Sequence, residues 1–252
     1  MRIWKAARWV GLFVVVAVGA TAVVLYVLAS RVPPEYRPAR LTQAQKHRAA
    51  KQFVNDKVFR EFSNRAQENR PFRWTVTEQQ LNRYVASMDE IASLLPGRDP
   101  GDLYARLERA GLADPAVALD DGTLTLMVRD KRREKILSVR LSVEIADGRL
   151  RVRLAGARVG RVAVPRSMVS GQIEQLQAYL AHKQSEEGAA DAAAGVSTEG
   201  FARLLGGVLA AIGEEPIEPV FTGGINDRRV RVTDVTIEDD RLTLRLVPAG
   251  RR

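Results

Sequence analysis

The chain has 252 residues, with 39 Lys and Arg against 30 Asp and Glu, a net charge of +9, no cysteine and two histidines. The lack of cysteine excludes disulfides, thiolate zinc sites, cysteine nucleophiles and a lipoprotein acylation site. The cations are interspersed with acids, aromatic residues make up 6% and no RNA or DNA motif is present, so nucleic acid is not an expected partner.

Arg2, Lys5 and Arg8 precede WVGLFVVVAVGATAVVLYVLAS, 22 residues without a charge from Trp9 to Ser30. As a helix this run would be about 33 Å long, enough to cross a bilayer core. Trp4, Trp9 and Tyr26 are placed as interfacial anchors. A cleaved signal peptide is the rival reading, since Val27 and Ala29 make an acceptable small-residue cleavage pattern. The run exceeds the roughly 7–15 residues of such signals, which favours a retained anchor. The sequence therefore predicts a cytoplasmic tail (1–8), a transmembrane anchor (9–30) and a main domain outside the cytoplasm at a bacterial inner membrane. Arg31, Arg37 and Arg40 follow the span, so the positive-inside bias is weak.

Residues 31–41 are charged and proline-rich, the composition of a stiff spacer that would lift the domain from the membrane. Thr42 and Gln45 stand at capping-box spacing ahead of Ala50, Phe53, Val54, Val58 and Phe62, which predicts a helix over about 42–66. Thr77 and Gln80 open a second, with Leu81, Tyr84, Val85 and Met88 on one side. A weaker helix is predicted over 99–111.

The period then changes from 3.6 to 2. LDDGTLTLMV (119–128), IADGRLRVRL (145–154) and IEDDRLTLRL (237–246) each place an aliphatic residue, an acidic two-residue turn and a leucine that begins an alternating strand. These are three hairpins in which Leu119 should face Leu124, Ile145 face Leu150, and Ile237 face Leu242. Leu137, Val139, Leu141, Val143 and Ile145 line one face, continued by Leu150, Val152 and Leu154. The apolar face needs a cover, for which the amphipathic helices are available.

GARVGRVAVPRSMVSGQIEQLQAYL (156–180) has neither a phosphate-loop ending nor nucleophile-elbow glycines around Ser167. It reads as a strand, a corner at Pro165 and a helix with Val169, Ile173, Leu176 and Leu180 on one face. Residues 183–199 are small and polar and predict a loop. Phe201, Leu204, Leu205, Val208, Leu209 and Ile212 form a further apolar helix. Val230 and Val232 are out of phase with Val235 and Ile237, which implies a bulge near Thr233 and Asp234.

No reaction chemistry emerges. Asp120, Asp121, Asp147, Asp239 and Asp240 are turn formers. His47 and His182 lack partner ligands at helical spacing, so no metal is expected. RDKRREK (129–135) puts five cations among seven residues. Its plain reading is a solvated turn; its functional one is contact of Lys131, Arg132, Arg133 and Lys135 with anionic headgroups.

Thr77, Glu78, Leu81 and Asn82 in FRWTVTEQQLNRYVASM, and Gly160, Val162, Val164 and Pro165 in VGRVAVPRSMVSGQI, together with the order of anchor and hairpins, resemble YpmS-type extracytoplasmic proteins. They also resemble the LmeA-like group of tubular lipid-binding (TULIP-like) domains. The resemblance covers most of residues 70–248 and implies a sheet wrapped on a helix with an apolar groove for acyl chains, and no catalytic residue. The sequence as a whole predicts an α+β fold: an N-terminal transmembrane helix, then a curved antiparallel sheet of hairpins packed on amphipathic helices. The expected function is a membrane-anchored, non-enzymatic lipid-binding or lipid-shuttling protein without a cofactor, its groove lined by Val169, Ile173, Leu176, Leu180, Phe201, Leu204, Leu205 and Val208. The alternative is a tethered assembly protein with a filled core that binds an envelope protein partner.

Overall fold

The computed structural model describes residues 21, 23–68, 70–94, 107–108, 111–165, 217–223 and 228–249. Over these residues the chain is α+β and is built on two antiparallel sheets. Helix α1 covers residues 23–30. No described helix is long and apolar enough to cross a membrane, and most of the predicted anchor lies outside the described residues. So do residues 166–216, which hold all eight predicted groove positions, the loop at 183–199 and His182, and most of the predicted helix at 99–111.

The predicted helix at 42–66 is present, with a change of winding. α2 (Gln43–Gln52) passes into a π-helical stretch (Phe53–Ser63) and then α3 (Asn64–Gln67). The apolar positions Ala50, Val54, Val58 and Phe62 repeat every fourth residue, a spacing that fits a helix wider than the 3.6-residue turn. The Gln45 side chain accepts from the Thr42 N–H at 2.9 Å. α4 (Glu78–Val85) starts on a complete capping box: the Thr77 hydroxyl accepts from Gln80 N–H, and the Gln80 side chain accepts from Thr77 N–H. α5 (Met88–Leu94) follows it.

Sheet A runs in the order β1 (Phe72–Thr77), β9 (Arg241–Ala249), β8 (Arg228–Glu238), β7 (Val220–Gly223). Sheet B runs in sequence through β2 (Leu112–Asp120), β3 (Thr123–Asp130), β4 (Lys135–Ala146), β5 (Arg149–Val159) and β6 (Val162–Val164). All three hairpins have the predicted register, with Leu119 opposite Leu124, Ile145 opposite Leu150 and Ile237 opposite Leu242. The bulge also falls where the phase change placed it, between Val232 and Asp234.

The hairpins do not share one sheet, however. The third belongs to sheet A because β1 captures β9: Phe72, Trp74 and Val76 lie opposite Leu246, Leu244 and Leu242. The inner face of sheet A is then covered by the helices. Ala50, Phe53, Val54, Tyr84 and Ile91 pack on Val76, and Ala66 packs with Phe72, Val230, Val232 and Leu246. The Phe53 and Tyr84 rings are 4.6 Å apart.

Sheet B meets sheet A through the end that carries its turns at residues 121–122 and 147–148. Val117, Leu119, Leu124 and Val143 join Ile237, Val235 and Leu242 in one cluster, and Gly122 N–H donates to Ile237 O at 2.9 Å. The Thr77–Asn82 motif completes this junction. The Asn82 amide donates to Val117 O at 2.7 Å and accepts from Val117 N–H at 2.8 Å, and the Glu78 carboxylate accepts from Leu119 N–H at 2.8 Å. These side chains stand in for a sixth strand along the outer side of β2. On β1, the outer carbonyls of Thr75 and Arg73 accept from Lys57 and Arg65.

Residues 31–41 do not act as a free spacer. Pro33 is buried, and the Tyr36 ring packs on Ala116, Ala118, Met127 and Ile136, the face of sheet B opposite the leucine face. The Tyr36 hydroxyl donates to Asp114 O at 2.8 Å, and Glu35 pairs with Arg158 at 3.5 Å. Arg161 N–H donates to Leu28 O at 3.0 Å and its guanidinium to Val32 O. Gly160 has φ +56°, and a Cβ there would collide with the Ala29 carbonyl and come within 2.9 Å of Arg31 O. Proline restricts the backbone of this strap, which turns at residues 34–35 where the Tyr36 N–H donates to Pro33 O at 3.1 Å, and burial of Pro33 with the packing of the half-buried Tyr36 ties it down.

Candidate functional site

The candidate site is the end of sheet B that carries the β3–β4 turn (131–134) and the β5–β6 turn (160–161). Both turns lie beside the end of α1, through the Arg161–Leu28 hydrogen bond and through Lys135, whose ammonium sits 4.9 Å from the centre of the Tyr26 ring. The β5–β6 turn forms a fourth hairpin, where the sequence had suggested a single strand. Its signal was Val-Gly-Arg-Val, two valines flanking a two-residue turn, and Val159 does lie opposite Val162.

One apolar face runs the length of this sheet. At the end against sheet A it is dry, with Leu141 at 0% exposure and Val152 at 1%. Towards α1 the same face continues through Leu126, Val128, Leu137, Val139, Ala157, Val159, Val162 and Val164, placed side by side by the ladder. Here Leu126 is 36% exposed and the others are half-buried. A register shift between Arg140 and Leu141 marks the change, and a bulge bends and twists a sheet locally. α1, held beside this end by the Arg161–Leu28 and Lys135–Tyr26 contacts, is itself apolar and exposed, with Val23 at 62% and Tyr26 at 66%.

The four predicted headgroup residues come together at this end but are not equivalent. Asp130 organises the turn by accepting from the Arg132 and Arg133 N–H groups. Lys131 donates to Glu108 at 2.8 Å, and this hydrogen bond holds the Glu108 carboxyl below its usual range. Lys135 is engaged with Tyr26. Arg132 and Arg133 are exposed and form no ion pair among the described residues. Arg129, within the same basic run, is bound to Asp114 and Glu134.

Among the described residues no group of three or more His, Cys, Asp or Glu could hold a metal ion. His47 lies beside Glu90 at 3.3 Å. No family model, curated protein or solved structure matches the chain.

Proposed function

We propose that this chain is a membrane-anchored lipid-binding protein, in which α1 is the end of a bilayer-spanning helix and the half-exposed end of sheet B receives an acyl chain. One observation carries the reading. A single apolar face is dry where it meets the body and part-exposed at the end that lies beside an exposed apolar helix. Each CH₂ buried there is worth about 0.8 kcal/mol, so a chain that covers even five of them gains about 4 kcal/mol over water.

A bilayer offers that chain the same burial, so transfer from membrane to sheet is close to neutral. Preference among lipids must then come from the headgroup. Arg132 and Arg133 supply it, each worth about 1 kcal/mol near an anionic surface. The resemblance to YpmS-type and LmeA-like proteins agrees with this reading, although its two motifs are accounted for by structure: Thr77 to Asn82 cap a helix and a strand edge, and Gly160 admits the strap.

The test is photocrosslinking of the full chain in vesicles that contain phosphatidylglycerol. A benzophenone side chain introduced at Leu126 or Val139 should label acyl chains, and one at the exposed Arg153, on the opposite face, should not. Equal labelling at all three positions, or none at Leu126, would rule out the lipid face and leave a tethered assembly protein as the better account.

A further inference from the structure

We infer that the outer face of sheet A binds the phosphate group of a soluble polyol phosphate ester between Arg73 and Arg245. This face lies opposite the one filled by the helices and by sheet B. Arg73 stands directly across from Arg245, which in turn faces Asp234 on the next strand. Two positions further along β1, Thr75 faces Thr243, with hydroxyl oxygens 3.3 Å apart. These side chains, with Glu238 and Arg241, line a concavity of about 480 Å³.

Like charges directly opposed on neighbouring strands are unfavourable. Neither guanidinium is engaged in an ion pair or side-chain hydrogen bond among the described residues. Asp234, the acid nearest in register, instead accepts from the Thr236 hydroxyl at 3.2 Å. Two forks rising from Cβ atoms about 5 Å apart can bridge one tetrahedral oxyanion with paired N–H donors. The threonine hydroxyls beside them can donate to or accept from ester and hydroxyl oxygens. Asp234 and Glu238 accept from ligand hydroxyls, and Glu238 stands directly opposite Arg241, the third cation of the concavity. The combination selects one phosphate on a hydroxylated body.

The source is fixed by where the face sits. Sheet A attaches to sheet B through the Gly122–Ile237 contact, at the opposite end from the Arg161–Leu28 contact with α1. A phosphate bound here is therefore held on the sheet that joins the end of sheet B remote from α1. The inference does not depend on whether sheet B carries lipid.

Thermal unfolding of the full chain in uncharged detergent micelles tests it, with sn-glycerol 3-phosphate compared against glycerol plus chloride at equal ionic strength. The ester should raise the midpoint by roughly 3 °C at a tenfold excess over Kd. The rise should vanish in Arg73→Gln and in Arg245→Gln and persist in Arg153→Gln. Because the first two substitutions remove a like-charge contact from an exposed face, both variants should fold. An equal rise in chloride, an undiminished rise in both variants, or a rise given only by phosphatidylglycerol vesicles would overturn the proposal.

Discussion

Asn82 is the residue whose chemistry is hardest to replace. It is buried and satisfies both backbone groups of Val117 at once. Asn82→Leu keeps the branched skeleton, with slightly more bulk, but strands a buried N–H and a buried C=O, so it should cost about 3 kcal/mol in denaturant unfolding. Asn82→Asp retains an acceptor for the N–H but sets a carboxylate against the Val117 carbonyl, and it should not rescue. Gly160 is a second case, set by space as well as by backbone angle. Gly148, at φ +70°, has open space for 4 Å around the point where a Cβ would stand, so Gly148→Ala should lose only the backbone preference of about 1–2 kcal/mol. Gly160→Ala adds the collision with Ala29 and should also free the strap, seen as faster proteolysis within residues 28–40. Equal loss in the two variants, with no change in proteolysis, would show that the strap does not depend on this approach.

The strap also gives a pH signature. Desolvation, with Asp114 as the next cause, pushes the Tyr36 hydroxyl up to about 12 from an ordinary value of 10. The folded state thus favours the protonated phenol. Its contribution is fully present below pH 10 and is lost as the pH rises towards 12. Hydrogen exchange of the strap amides, corrected for the intrinsic rate, should show protection falling across that window. Tyr36→Phe should remove the step along with about 1 kcal/mol from the hydrogen bond to Asp114 O. None of this was legible in the sequence, because Arg-Val-Pro-Pro-Glu-Tyr has the composition of a linker and only Pro33 and Tyr36 pack, with Glu35 adding an ion pair to Arg158. The hairpins were legible for the opposite reason: a two-residue turn fixes register locally. The pairing of β1 with β9 joins residues 72–77 to 241–246, and nothing local distinguishes one alternating strand from another as a partner.

For the molecule as a whole, the α+β class and the leucine face could be read from period alone. Which part of that face is dry could not, since Leu126 and Leu141 occupy equivalent places in the same alternation and differ only in what sheet A reaches. The basic turn was likewise visible as charge, whereas the division of labour within it depends on Glu108 and Tyr26, which come from other parts of the chain. If Arg132 and Arg133 do read headgroups, Arg132→Gln with Arg133→Gln should reduce crosslinking from Leu126 in anionic vesicles about tenfold and leave it unchanged in neutral ones. Lys131→Gln should have a smaller effect, because that ammonium already serves Glu108. The side chains along the outer margins of β1 and β2 have a consequence of another kind. If the chain is anchored as proposed, its copies meet one another at high local density and in a common orientation, conditions under which bare strand margins polymerise. Here Lys57 and Arg65 occupy one margin and Asn82 and Glu78 the other, so self-association through either would first have to strip a neighbour of charged or buried hydrogen bonds.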